Sequence, residues 1–179
     1  MVKIPLLLGE LFFTLVWLIY RGITWVVKNR ICWKKEAILL LMYINLAVII
    51  RFVFYPFFAV DGQVQPLIIQ PREIFPPRMN LIPVINLTDY EVKREAVINI
   101  IGNVALFIPT GIILPILYKR LNCFWKVLLA GVGISLCIEG IQLLLPNSVT
   151  DIDDLILNAA GVIIGYAIFS FAKKQIKRE

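Results

Sequence analysis

Histidine is absent from this chain of 179 residues, and charged residues make up only 17% of it. Without histidine, an imidazole general base and every His-ligated metal site are excluded. The three cysteines, Cys32, Cys123 and Cys137, are too few and too scattered for a disulfide framework. The sequence also has no P-loop, no dinucleotide-binding glycine motif and no C-x-x-C pair. The motifs of common nucleotide-binding and redox proteins are therefore missing.

Apolar residues, by contrast, account for 60% of the chain, which is too many for a soluble domain of this length. A helix needs about 20 predominantly apolar residues to cross a bilayer core. Runs of that length predict an all-α integral membrane protein, a bundle of about five transmembrane helices forming a single domain, residues 1–179. The predicted spans are 4–27, 36–60, 98–118, 124–145 and 153–172.

Basic residues indicate how these helices are oriented. Eleven Lys and Arg residues lie in the connections 28–35 and 119–126 and in the C-terminal tail. The positive-inside rule then predicts an N-terminus outside and a C-terminus inside. The net charge of +6 is explained by this topology and by anionic lipid, so no nucleic-acid partner is expected. The Pro-rich segment 61–97 becomes an outer loop that either lies along the interface, returns towards the helices, or packs outside the membrane.

Polar residues inside the predicted spans are costly in a bilayer and are therefore informative. Glu10 and Arg51 lie at a similar depth in the first two helices, taking about 1.5 Å per residue. Arg21, near the other end of the first helix, is interpreted as an interfacial anchor. Further polar or small residues recur at helical spacing: Asn99 and Asn103 on the third helix, Ser135, Glu139 and Gln142 on the fourth, and Asp154, Asn158, Gly161 and Gly165 on the fifth. Together they predict a polar site at one level of the outer leaflet.

Each of these residues also has a structural interpretation. Asp151 or Asp153 can cap the fifth helix. The amide side chains can form interhelical hydrogen bonds, and "GVIIG" at 161–165 favours close helix packing. Glu139 must be paired, for example with Arg51, or be protonated. Spacing alone leaves open whether Glu139 belongs to a structural ion pair or is a working acid.

Three segments resemble the VanZ-like family in order and spacing: "NIIGNVALFIPTGIILPIL" (99–117), "GISLCIEGIQLLLP" (133–146) and "DIDDLILNAAGVIIGY" (151–166). The preceding "MNLIPV", which contains Asn80, is similar to a further segment of that family. The resemblance covers roughly residues 40–172. Family members often carry a basic residue shortly before the acidic motif, where "PNSVTD" here has none. By position, the resemblance marks Asn99, Gly102, Asn103, Pro109, Glu139, Gln142, Asp151, Asp154, Asn158 and Gly161.

The resemblance implies a bacterial plasma-membrane protein, typically Gram-positive, that reduces susceptibility to teicoplanin and related lipoglycopeptide antibiotics. The first hypothesis is binding or remodelling of the antibiotic, of a membrane lipid or of a lipid-linked cell-wall precursor in the outer leaflet. Arg51, Arg72 or Arg78 would then contact phosphate. The polar head would be bound by the carboxylates of Glu139, Asp151 and Asp154 together with Asn80, Asn99, Asn103, Gln142, Asn158, Arg51 and Glu10.

Two other hypotheses remain from the sequence. The second is a hydrolase or transferase that acts on a lipid-linked envelope substrate, with Glu139, Asp151 and Asp154 as catalytic residues. In that case Asp151 and Asp154 would hold a divalent cation such as Mg²⁺. The third is a small carrier or flippase. It is less favoured, because the inner halves of helices three to five lack charge and no inverted repeat is present.

Overall fold

The computed structural model describes residues 2–55, 64–69, 79–80, 93–143, 145 and 150–176. Within them, five helices are long and apolar enough to span a membrane, as predicted. A short 3-10 helix, Lys119–Leu121, connects the third helix to the fourth. The helices are α1 (Leu6–Lys28), α2 (Trp33–Phe54), α3 (Lys93–Leu117), α4 (Phe124–Gln142) and α5 (Ile152–Ile176). Most of the predicted outer loop lies outside the described residues, and the orientation stays a prediction.

The helix ends differ from the predicted spans, most clearly at α2, α3 and α5. α2 ends at Phe54 rather than near residue 60, and Tyr55 is extended, with φ −119° and ψ 137°. Pro56 follows Tyr55, and proline disfavours helical backbone in the residue before it. α3 begins at Lys93 and α5 continues to Ile176. The added residues, 93–97 in α3 and 173–176 in α5, include charged residues and therefore lie outside the apolar runs that defined the predicted spans.

In the described part of the chain, four short strands accompany the helices, which the all-α prediction did not anticipate. β1 (Val2–Ile4) pairs with β2 (Leu67–Ile69) in antiparallel orientation. β3 (Met79–Asn80) pairs with β4 (Thr150–Asp151) in parallel orientation. These strands are too short to give a recognisable alternation of apolar and polar residues. The second pairing brings Asn80 to the N-terminal end of α5.

The centre of the fold is the close packing of α3 against α5. Gly161 faces the backbone carbonyl of Val104, and Gly165, one turn later, faces that of Ile108. Residue numbers rise together along both helices, so α3 and α5 run parallel. A Cβ atom on either glycine would overlap the opposite backbone. The predicted small-residue packing at Gly161 and Gly165 is therefore confirmed.

The other helices pack around this pair. α4 runs antiparallel to α5, and a Cβ on Gly131 of α4 would collide with the Val162 side chain. The most deeply buried apolar side chains join α2, α3, α4 and α5 in one core: Ile49, Phe107, Val127 and Val162. This packing holds the N-terminal ends of α3 and α5 next to the C-terminal end of α4.

A polar contact joins α2 to α3 within the membrane-spanning region. The Asn45 side chain donates from Nδ2 to the Leu106 carbonyl at 2.9 Å. Thr110 Oγ1 donates to Asn45 Oδ1 at 2.7 Å. Both polar ends of the Asn45 amide are thus satisfied, as a polar group buried in apolar surroundings requires.

Replacing Thr110 with valine, which keeps its shape, should lower the free energy of unfolding by about 1 kcal/mol. The Asn45 oxygen would lose its donor while remaining buried. Denaturant unfolding in detergent micelles measures this loss. Thr24→Val is the matched control, because the Thr24 hydroxyl donates to the Arg21 carbonyl of its own helix. An equal loss in both variants would contradict the interhelical role of Thr110.

α1 packs on α2 through aromatic and ionic contacts. The Tyr43 ring lies 5.4 Å from that of Phe13 and 4.7 Å from that of Trp17, measured between centroids. Arg21 is buried and ion-paired with Glu36, and its Nε donates to Glu36 Oε2 at 3.0 Å. Arg21 is therefore partnered within the helix pair, and its position at the membrane interface stays a prediction. The hairpin of α1 and α2 brings Glu36 within reach of a guanidinium that would otherwise have to extend to the surface.

Candidate functional site

The predicted polar residues of α3 and α5 contact each other directly. Asn103 Nδ2 donates to Asp154 Oδ1 and to Asn99 Oδ1, each at 2.6 Å. An amide nitrogen has one hydrogen for each of these acceptors. The parallel packing of α3 on α5 sets this register, because Asp154 lies two turns before Gly161 on the same face. The Asp154 carboxylate is thus stabilised by a donor from the neighbouring helix.

Asp151 caps α5, as the sequence analysis had proposed for one of the acids. Its Oδ1 accepts the backbone N–H of Asp153 at 3.0 Å, in the usual manner of an N-cap residue. Asn80 Nδ2 donates to the same oxygen at 3.2 Å. Asp153 is itself buried. Asp151 therefore links the start of α5 to β3.

Glu139 is buried, with 5% of its surface exposed, and lies next to this cap. Its Oε2 accepts the backbone N–H of Asp151 at 3.3 Å. Among the described residues Glu139 forms no ion pair with Arg51, whose Nη1 donates to the Tyr55 carbonyl at 3.4 Å. The suggested pairing of Glu139 with Arg51 is therefore wrong, since Arg51 interacts with the end of its own helix.

Two other predicted residues lie away from this cluster. Asn158 is buried between α4 and α5, where its Nδ2 donates to Ser135 Oγ at 2.9 Å. Its Oδ1 has no partner among the residues that the structure describes. Glu10 lies near Tyr55: burial raises the pKa of the Tyr55 hydroxyl, and the charge of Glu10 raises it further. The structure thus joins Asn80, Asn99, Asn103, Glu139, Asp151 and Asp154, and places Glu10 and Arg51 at the end of α2.

A groove of about 1030 Å³ lies between α2 and α3. It opens at the surface of the helix bundle, since Leu41 and Ile44 in its wall are exposed. Most of its lining is apolar, including Val48, Phe52 and Ile112. One end is polar and is lined by Asn99, Asn103, Gln142 and Asp154. The groove is therefore amphipathic, apolar along its length and polar at one end.

Gly102 and Pro109 of α3, which the resemblance marked without giving them a role, also shape the groove. Gly102 has open space where a Cβ would lie, so its missing side chain leaves room at the polar end. Pro109 has no N–H, so the Ala105 carbonyl lacks its usual helical donor. Both Pro109 and Ala105 line the groove. The sequence signal for this part of the groove was a glycine and a proline at helical spacing in an apolar helix.

The predicted cation site at Asp151 and Asp154 stays a prediction. No group of three or more His, Cys, Asp or Glu side chains is placed to hold a metal within the described part of the chain. Asp151 Oδ1 and Asp154 Oδ1 already accept hydrogen bonds from Asn80 and Asn103. Arg72 and Arg78, predicted to contact phosphate, lie outside the described residues.

Five membrane-spanning helices with a lateral, polar-ended groove define a multi-pass integral membrane protein. A family model described as VanZ/LLP1 matches residues 37–173. The chain belongs to the VanZ/LLP1 family, which confirms the resemblance seen in its motifs.

The chain is similar to "Protein VanZ" of Enterococcus faecium, with 32% identity over 79 residues. The match covers 44% of this chain and 48% of that relative, so it spans about half of the relative's length. No solved structure matches the chain.

Proposed function

We propose that this protein lowers the susceptibility of a bacterium to teicoplanin-type lipoglycopeptides by binding or remodelling an amphiphile at the plasma membrane. The amphiphile is either the antibiotic or a lipid-linked envelope component. The groove between α2 and α3 carries this proposal, because it is apolar along its length and polar at one end. An acyl chain would lie against the apolar walls, and its head group would meet Asp154, Asn99, Asn103 and Gln142.

The polar end of the groove favours a head group that donates hydrogen bonds. Asp154 supplies a carboxylate there, and no Lys or Arg lines the groove among the described residues. Ammonium, hydroxyl and amide N–H groups would pair with this carboxylate. A phosphate in the same place would be repelled unless Arg72, Arg78 or a bound cation compensated its charge. Amine-bearing or hydroxyl-rich heads are therefore the expected ligands.

The predicted orientation places the polar end in the outer leaflet. That end lies at the N-terminal ends of α3 and α5 and at the C-terminal end of α4. The basic connection 119–126 joins the opposite ends of α3 and α4, and the basic connection 28–35 precedes α2 at the end away from the polar groove residues. If the basic connections face the cytoplasm, the polar end of the groove faces the cell envelope.

Binding is favoured over the enzyme hypothesis by the position of Glu139. A catalytic Glu139 must reach the substrate, but this residue is buried and does not line the groove. Its carboxylate instead accepts the Asp151 N–H at the start of α5. The enzyme hypothesis is tested by the Glu139→Gln variant described below.

Replacing Gly102 with phenylalanine tests the groove. Because a Cβ at Gly102 meets open space, the larger side chain should enter the groove without displacing a helix. We expect the affinity of the purified chain for labelled teicoplanin, or the yield of a co-purifying envelope lipid, to fall by roughly tenfold, or about 1.4 kcal/mol. Teicoplanin inhibitory concentrations in a susceptible Gram-positive host should fall in parallel.

Gly133→Phe is the matched control. Gly133, on α4, also has open space around its Cβ position, but it does not line the groove. This variant should bind and protect like the unsubstituted chain. If Gly102→Phe protected equally well at equal membrane abundance, the groove would not be the binding site and the proposal would be overturned.

A further inference from the structure

A second cavity, of about 230 Å³, lies where α1 ends and α2 begins. It is separate from the groove, because it lies at the opposite end of α2 from the polar groove residues. Four cations and one carboxylate contribute to its lining: Arg21, Lys28, Arg30, Lys35 and Glu36. The carboxylate offsets only one of the four positive charges, so the lining keeps a net charge of +3. The cavity is therefore electrostatically suited to an anion.

Arg21 is the buried member of this group. Only 7% of its surface is exposed, and its guanidinium lies 5.9 Å from the ring centroids of both Tyr20 and Trp25. Glu36 binds its Nε and Nη2 atoms. Among the described residues no acceptor contacts Nη1, so the N–H groups of that atom remain for a ligand in the cavity. Guanidinium groups match the oxygen geometry of phosphate particularly well.

The start of α2 adds backbone donors at the same place. Its N-cap residue, Cys32, lines the cavity and makes no side-chain capping hydrogen bond. The first N–H groups of a helix have no partner within the helix, and the positive end of the helix dipole attracts anions. Lys35 lies within this first turn. The cavity thus combines a buried guanidinium, flexible ammonium groups and an uncapped helix N-terminus.

We propose that this cavity binds a phosphate group, supplied by the head group of an anionic phospholipid or by a phosphate ion in solution. A lipid source fits the position of the cavity at the ends of two membrane-spanning helices. Trp25, which lines the cavity, and Trp33, which follows Cys32 in the sequence, are both exposed, as aromatic residues are at a membrane interface. Basic pockets between helices near the membrane surface recognise such head groups.

Cys32 provides a probe of occupancy, since it is exposed and lines the cavity. The full chain would be placed in nanodiscs of phosphatidylcholine, with or without phosphatidylglycerol, and alkylated with a maleimide. Cys123, also exposed but outside the cavity, is an internal control for changes in local pH and reagent access. We expect phosphatidylglycerol to slow alkylation of Cys32 by roughly tenfold and to change that of Cys123 by less than about twofold.

A pair of charge-matched variants tests whether the cavity causes this protection. The first variant combines Lys28→Gln, Arg30→Gln and Lys35→Gln and should abolish the protection of Cys32. Folding should persist, because all three side chains are exposed. The control combines Lys119→Gln, Arg120→Gln and Lys126→Gln, which removes the same charge from exposed residues elsewhere. This control should retain the protection.

The source of the phosphate is decided by a further arm, in which inorganic phosphate is added to phosphatidylcholine nanodiscs. Inorganic phosphate can protect Cys32 either alone or in addition to phosphatidylglycerol. Both results support the site and show that a soluble ligand is sufficient. Protection by phosphatidylglycerol alone supports the site and assigns it to lipid. If neither slowed alkylation of Cys32, or if both triple variants behaved alike, the proposal would be overturned. None of these outcomes depends on the groove.

Discussion

Gly165→Leu should leave almost no folded protein in the membrane, whereas Gly133→Leu should accumulate normally. A Cβ at Gly165 would overlap the Ile108 carbonyl and lie 2.9 Å from the Gly111 Cα. These are backbone atoms, which cannot move aside as the end of a side chain can. The larger residue must therefore separate α3 from α5, and close backbone approach is what stabilises such helix pairs in a bilayer.

The effect extends to the polar cluster, because the same helix pair holds Asn103 against Asp154. Separating α3 from α5 would leave the carboxylate without this donor in an apolar surrounding, which is strongly unfavourable. The measurement is the amount of monodisperse protein in detergent, by fluorescence-detected size-exclusion chromatography. Gly133 is the control because nothing lies near its Cβ position. Equal recovery of the two variants would show that the α3–α5 contact is not essential.

Asp154→Asn should abolish protection against teicoplanin, whereas Glu139→Gln should retain it. Both changes remove one carboxylate and preserve shape. In Asp154→Asn the side-chain oxygen can still accept from Asn103, so the fold should persist while the groove loses its negative charge. A hydrogen bond to a charged group contributes about 1.5–3 kcal/mol, so binding of a donor head group should weaken by roughly tenfold or more. Glutamine at position 139 can still accept the Asp151 N–H.

Teicoplanin inhibitory concentrations in a susceptible Gram-positive host would be measured beside membrane abundance of each variant. The comparison separates binding from catalysis, because a general acid or base cannot be replaced by an amide. If Glu139→Gln lost protection at unchanged abundance, Glu139 would be a working acid and the enzyme hypothesis would be favoured. Mass spectrometry of envelope lipids from the same strains would then identify the altered molecule. Full protection by Asp154→Asn would contradict the assignment of Asp154 to the ligand.

Several parts of the site were predictable because they depend on local spacing. Asn99 and Asn103 lie one turn apart, so their shared face followed from helix geometry alone. The cap at Asp151 followed from acids placed at the start of an apolar helix. The contact between Asn103 and Asp154 could not be predicted in the same way, since it depends on which faces of α3 and α5 meet.

The errors have a similar origin. Arg51 and Glu139 were predicted to lie at a comparable depth, but depth does not specify the direction of a side chain, and Arg51 interacts with the end of α2. The ion pair of Arg21 with Glu36 was not predicted, because Glu36 lies beyond a turn whose geometry brings α1 and α2 together. The groove walls are apolar like the rest of the helix surfaces, so hydropathy did not distinguish Val48 or Ile112 from residues that face lipid.

The sequence by itself determined the class of protein, the number of membrane-spanning helices, their polar positions and the family. It could do so because bilayer thickness sets the length of each apolar run, and because a polar residue within such a run is conspicuous. Only the tertiary structure decided which of those residues meet, where the groove lies and how Glu139 and Arg21 are partnered. Lipid and apolar helix faces are chemically alike, so the pairing of helices depends on close contacts such as that of Gly165 with Ile108, and these exist only in the assembled bundle.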